Sequence, residues 1–337
     1  MKLTENRYSR FALVREMLET PGVISNFDQS VAARFAERIK VSAGLLLTGE
    51  GSSRIFPAKR AIYDSLKHEK SIRIFTEGST QAMEYDLSDF SVFGASNSGQ
   101  TKEVIRLITG LRGNGHKRCF GLTANKDTRL EKITEDTHIL SCGKEDAVAA
   151  TKSVVEQALF YDALGRKLSG ESMDSTESLA EWFRQVLEMR IEPEITERIS
   201  RAGKIYFAGR NDGVAEELTL KTNEITRKKS GFLEGTYAVH GIEEVMDPDE
   251  VVIWINPFRE EIEKFEECLV KGVGLSIIAI SSVPTKFPTV LIPDAGRYGS
   301  YLELAAGWNL LVETGLALGI DLDNPLRARK VGNEFNG

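Results

Sequence analysis

Cysteine is scarce in this chain of 337 residues: Cys119, Cys142 and Cys268 are scattered and form no CxxC pair. That excludes a disulfide framework and a cysteine-based metal knuckle. Only four histidines occur, and His68, His116, His138 and His240 fall in unrelated segments, so no histidine-based zinc set is expected. No apolar run approaches the ~20 residues that span a bilayer, and the opening MKLTENRYSRFALV has neither a long apolar core nor a cleavage site. Positive charge is in deficit too, with 43 Lys and Arg against 50 Asp and Glu and a net charge of −7. Such a balance argues against general binding to nucleic acid or to an anionic membrane, so any anion site has to be local. A cytoplasmic setting without membrane or nucleic-acid partners is the expectation.

Nucleotide motifs are missing as well. GxxxxGK[ST] does not occur. The one stretch resembling a dinucleotide fingerprint, GEGSSR, puts Arg54 where close helix–strand packing needs a small residue. No cofactor is expected.

What the chain does have is alternation. Apolar runs such as GLLLTG, SVFGA, RCFGL, KIYFAG, VVIWI and LSIIAIS are followed by glycine-containing loops and then by segments with helical periodicity. This order predicts α/β architecture with parallel sheets. The pattern runs once, passes through the charged helical stretch 166–190, and restarts, which suits a length above that of one usual core. We expect a helical segment over 1–30, broken near Pro21 and Gly22, one α/β domain over 31–165, a helical linker over 166–190, a second α/β domain over 191–320, and a tail over 321–337.

Two loops carry hydroxyls where an apolar strand hands over to a helix: GEGSS, with Gly51, Ser52 and Ser53, and SNSGQT, with Ser96, Asn97, Ser98 and Thr101. In an open parallel sheet both lie at the carboxyl edge, where ligands bind. Hydroxyls and free helix amides converging there suit a phosphate ester. In the second half, Lys221 and Glu224 share a helical face, and His240 follows sixteen residues after Glu224, beside Gly241. A carboxylate flanked by an ammonium and an imidazole has the parts for moving a proton between adjacent carbons.

At this point the segments resemble a known family. SNSGQT is similar to the Ser-x-Ser-Gly-x-Thr phosphate loop of SIS (sugar isomerase) domains, GEGSS to the first-strand loop, AVAATKS to the Ala-x-Thr-Lys helix start, and DNPLRARKV to the C-terminal tail. The likeness runs over about residues 45–331 and resembles the arrangement of the isomerase half of glucosamine-6-phosphate synthase, shared by amino-sugar-phosphate deaminases and fructosamine-phosphate deglycases. It implies two flavodoxin-like doubly wound sheets in tandem, isomerisation, deamination or deglycation of a hexose 6-phosphate carrying nitrogen at C1 or C2, with plain aldose–ketose isomerisation or non-catalytic phosphosugar sensing as the alternatives, and a homodimer with shared active sites. Ser52, Ser53, Ser96, Asn97, Ser98 and Thr101 would grip the phosphate, and Gly51, Val148 and Ala150 would border the sugar. Glu224 would be the base, His240 would assist ring opening from a second subunit, Lys330 would lie over the carbonyl, and Lys221 would support Glu224. Departures bear on the substrate: Asn97 replaces a glutamine of the synthase loop, Ala150 a serine, Ile242 a proline, and Leu326 an arginine. Glutaminase activity is not expected, because that chemistry needs an N-terminal cysteine nucleophile on its own domain.

Overall fold

The computed structural model describes residues 1–39, 42–68 and 72–327. They form two compact units. Each contains a five-stranded, fully parallel sheet, so the α/β expectation holds.

The first unit is built from Gly22–Glu145 and Ala150–Glu177. Its strands are β1 (Gly44–Gly49), β2 (Ile74–Gly78), β3 (Phe90–Ala95), β4 (Cys119–Thr123) and β5 (Asp136–Ile139), in the order β2-β1-β3-β4-β5. β1 and β4 are buried along their whole length, and β3 along all but its first residue. That explains their near-continuous apolar runs: a parallel strand covered on both faces has no solvent side on which to alternate. Phe35, Phe93, Phe120 and Phe160 meet with ring centroids 5.2–5.7 Å apart, mostly tilted or edge-on. All four are fully buried, and each such side chain contributes about 1.5–3 kcal/mol relative to exposure.

The second unit gathers Met1–Pro21, Asp146–Ala149 and, among the described residues, 178–327. Its strands are β6 (Lys204–Gly209), β7 (Lys229–Glu234), β8 (Val251–Ile255), β9 (Ser276–Ser281) and β10 (Thr289–Leu291), ordered β10-β9-β8-β6-β7. Numbered within the unit, this repeats the order of the first sheet. Trp254 stacks on Phe265 at 3.6 Å between centroids in its core. The early helical residues join this unit: Asp323 accepts from the amides of Ala12 and Leu13, both at 2.8 Å, and so caps the helix Ala12–Ser25.

Two local expectations change. The helix Ala12–Ser25 runs through Pro21 without the break expected there. Proline removes one backbone donor, the one that would reach Met17 O, and the remaining bonds of the helix carry it through. The segment KSGFLE forms β7, a strand that is absent from the apolar runs of the sequence. It is an edge strand pairing only with β6, half-exposed, and held in register by backbone bonds that its Lys-Ser-Gly start does not advertise.

Candidate functional site

The order β2-β1-β3 makes the boundary between β1 and β3 the point where successive strands are added in opposite directions, and in open parallel sheets ligands bind at the carboxyl edge of such a point. Gly49 pairs with Ala95, so the two loops start side by side. Glycine is required at 49: a Cβ there would lie 2.9 Å from Ala95 O and 3.2 Å from Ser53 O.

The first loop is a single 3-10 turn, Gly51–Ser53, entering the helix Ile55–Lys67. Ser52 and Ser53 are partly exposed, and Ser53 O accepts from the Gln157 amide. The second loop is tighter. The Ser96 Oγ is 2.7 Å from Thr101 Oγ1 and 3.5 Å from Ser98 Oγ, and it accepts from Thr101 N–H at 3.3 Å. Ser98 Oγ accepts from Gln100 N–H at 3.2 Å. Gly99 makes the turn at φ +65°, and a Cβ there would lie 2.4 Å from Thr128 Cβ. Thr101 then precedes the helix Lys102–Gly113 and makes no side-chain capping bond. Three rotatable hydroxyls thus cluster beside a helix start, an arrangement able to donate to an anion.

Asn97, expected among the phosphate ligands, is engaged elsewhere. Its side-chain nitrogen donates to Glu145 Oε2 at 2.9 Å and to Ser153 Oγ at 2.7 Å, and its backbone carbonyl accepts from Ala124 N–H and from the Thr123 and Asn125 side chains. Val148 and Ala150 are partly exposed in the irregular segment leading to the helix Lys152–Leu168.

In the second unit, the helix Val214–Thr226 carries Glu217, Lys221 and Glu224 on one face. The Lys221 ammonium lies 2.8 Å from Glu224 and 3.3 Å from Glu217. The Lys221 and Glu217 side chains have no exposure, whereas that of Glu224 keeps 20%. Burial works against the Lys221 charge, but Glu224 and then Glu217 outweigh it and raise the ammonium's pKa above its ordinary value. Lys221 is therefore a fixed cation behind a carboxylate that reaches solvent. Glu217 was missed in sequence, although its i,i+4 spacing from Lys221 was available as a signal.

His240 is exposed at the end of the 3-10 turn Tyr237–Val239, with Nε2 3.2 Å from Lys264 Nζ. An ammonium only donates, so in this contact Nε2 is the acceptor. Lys330 lies outside the described residues. A cavity of about 970 Å³ in the second unit, lined by Arg7, Tyr8, Arg190, Arg201 and Glu313, contains none of the expected site residues. Among the described residues no cluster of His, Cys, Asp and Glu is placed to hold a metal ion, and no helix is long and apolar enough to cross a membrane.

The loop geometry can be set beside known proteins. No family model matches the chain. A curated relative, the glutamine–fructose-6-phosphate aminotransferase (isomerizing) of Aeropyrum pernix, is 25% identical over 214 residues, which are 58% of this chain and 34% of that protein. The chain thus spans about a third of the length of the curated relative it matches. Among solved structures, the tagatose-6-phosphate ketose/aldose isomerase of Escherichia coli superposes with a TM-score of 0.80 at 16% identity, over 96% of this chain and 98% of that one. The glucosamine-6-phosphate deaminase of Thermotoga maritima gives 0.73 at 18% identity, over 96% and 99%. The C-terminal domain of the Francisella tularensis glucosamine-fructose-6-phosphate aminotransferase gives 0.75 at 17% identity, over 94% and 98%. These likenesses show a fold shared with sugar-phosphate isomerases and deaminases.

Proposed function

We propose that this chain is a SIS-type enzyme acting on a hexose 6-phosphate with nitrogen at C1 or C2, by isomerisation, deamination or deglycation through an enediol or enolamine. The observation that carries this reading is the hydroxyl cluster of Ser96, Ser98 and Thr101 at the sheet's switch point. That site suits the dianionic end of a phosphosugar, and its binding energy, remote from the reacting carbons, is available to orient them. Ser52 and Ser53 complete the phosphate grip. Gly51, Val148 and Ala150 border the sugar.

Glu224 is the proposed base. It takes the proton from one of the two carbons and returns it to the other, while Lys221 holds it in place. His240 assists ring opening from the second subunit of a homodimer, and Lys330, which lies outside the described residues, is the proposed group acting on the sugar carbonyl. The resemblance of the tail and loops to the SIS family supports these last roles.

The test is a panel of glucosamine, galactosamine, fructose and fructosyl-amino-acid 6-phosphates, assayed for ammonia and for sugar-phosphate products. Turnover of at least one member is expected. A chain that neither binds nor converts any of them would overturn the reading, and one that binds without converting would be a phosphosugar sensor.

A further inference from the structure

Behind the hydroxyl loop lies a carboxylate to which sequence reading gave no role. Glu145 is only 4% exposed. Its two oxygens have different partners. Oε1 accepts from Thr151 N–H at 2.7 Å, Thr151 Oγ1 at 3.2 Å and Ser153 N–H at 3.4 Å, and so caps the start of the helix Lys152–Leu168. Oε2 accepts from Ser153 Oγ at 2.6 Å and Asn97 Nδ2 at 2.9 Å. A charge this deeply buried needs such a set of donors. Asn97 stands between Ser96 and Ser98, and its carbonyl is already fixed by the segment after β4. Its amide tether to Glu145 leaves the middle of the loop little freedom.

The geometry points to Glu145 as the positioning residue of the phosphate loop. Through Asn97 it sets where the Ser96 and Ser98 hydroxyls stand. This assignment rests on the phosphosugar reading for its meaning in turnover, but the tether itself does not.

The division of labour between the two oxygens makes the idea testable by exchange of polarity. In Glu145→Gln the amide oxygen can keep the helix cap, but the NH₂ then faces the NH₂ of Asn97. Adding Asn97→Asp restores a donor–acceptor pair, now running the other way. We expect E145Q to weaken fructose 6-phosphate binding to the full chain, measured by calorimetry, by about tenfold or more, the size of one lost charge-assisted hydrogen bond. KM should rise in the reaction the wild type catalyses while kcat holds. In the ligand-free protein, hydrogen exchange of the 96–102 amides should accelerate. N97D/E145Q should recover most of all three. Should E145Q fold poorly, Asn97→Ala cuts the tether while leaving the helix cap intact, and the same losses are expected.

Wild-type affinity and exchange in E145Q or N97A would overturn the assignment. So would a double variant no better than E145Q, which would reduce Glu145 to packing. If the wild type binds no sugar phosphate, the proposed function falls, and the exchange measurements alone decide the role of Glu145.

Discussion

Lys221 holds Glu224 from inside the protein: its ammonium, wholly buried, lies 2.8 Å from a carboxylate that keeps 20% of its surface. The pair is one-sided, with a cation that cannot leave and an anion that reaches solvent. Replacing Glu224 by Gln keeps the shape and removes the base. We expect turnover to fall by roughly 10²–10⁴-fold with phosphosugar affinity within a few-fold of wild type. An unchanged rate in a steady-state assay would end the assignment of Glu224.

The same cation faces Glu217, which is also fully buried. Lys221→Met takes a positive charge away from two carboxylates, and breaking a buried ion pair in this way costs about 3–5 kcal/mol. Adding Glu217→Gln removes one of the stranded charges, so the double variant should be more stable than K221M alone. Urea denaturation of the three proteins measures this. A cost below about 1 kcal/mol for K221M would mean that neighbouring groups or water satisfy the helix face without it.

Ser98→Ala deletes one hydroxyl of the loop and leaves its backbone path in place. KM for phosphorylated sugars should rise about tenfold, with little change for the unphosphorylated sugars. Equal effects on both would show that Ser98 does not face the phosphate. Gly99→Ala is the harsher change, because the side chain would meet Thr128 and the backbone is left-handed there; loss of phosphosugar binding together with lowered stability is expected.

His138 gives an acid-sensitive core. Its ring stacks on Phe160 at 4.8 Å and 12°. Burial, and then the charge of Arg34, lower its pKa from 6.5 to about 4. The unfolded chain therefore takes up this proton first. The stabilising contribution of the neutral ring is complete above 6.5 and is lost as the pH falls towards 4, amounting to about 3 kcal/mol. Substituting Phe should remove that share of the acid slope in a series of unfolding midpoints. A slope identical to wild type between pH 7 and 4 would show that the ring does not titrate this way.

Much of this molecule was legible because parallel strands buried on both faces write themselves as unbroken apolar runs, and GLLLTG, SVFGA and VVIWI are such runs. The hydroxyl loop was legible for a related reason: Gly99 and its flanking serines mark a turn that few other residues can make. β7 was hidden because its pairing, not its composition, makes it a strand. Pro21 misled because one missing donor inside an otherwise supported helix is survivable. Glu145 and Glu217 were hidden for a deeper reason. In a chain with 50 acidic residues, only the fold tells which carboxylates face inward, and Glu145 meets Asn97 across 48 positions of sequence.

The all-parallel pairing also bears on how the chain reaches this state. No strand can zip onto its predecessor through a tight hairpin, and each ladder waits until an intervening crossover has closed. Such non-local pairing slows folding and leaves unpaired edges exposed meanwhile. The order β2-β1-β3 adds a further wait, since β1 acquires its second neighbour only after β2 and the whole stretch to Phe90 have been made. The loops after β1 and β3 therefore come side by side only once three of the five strands of their sheet have been made.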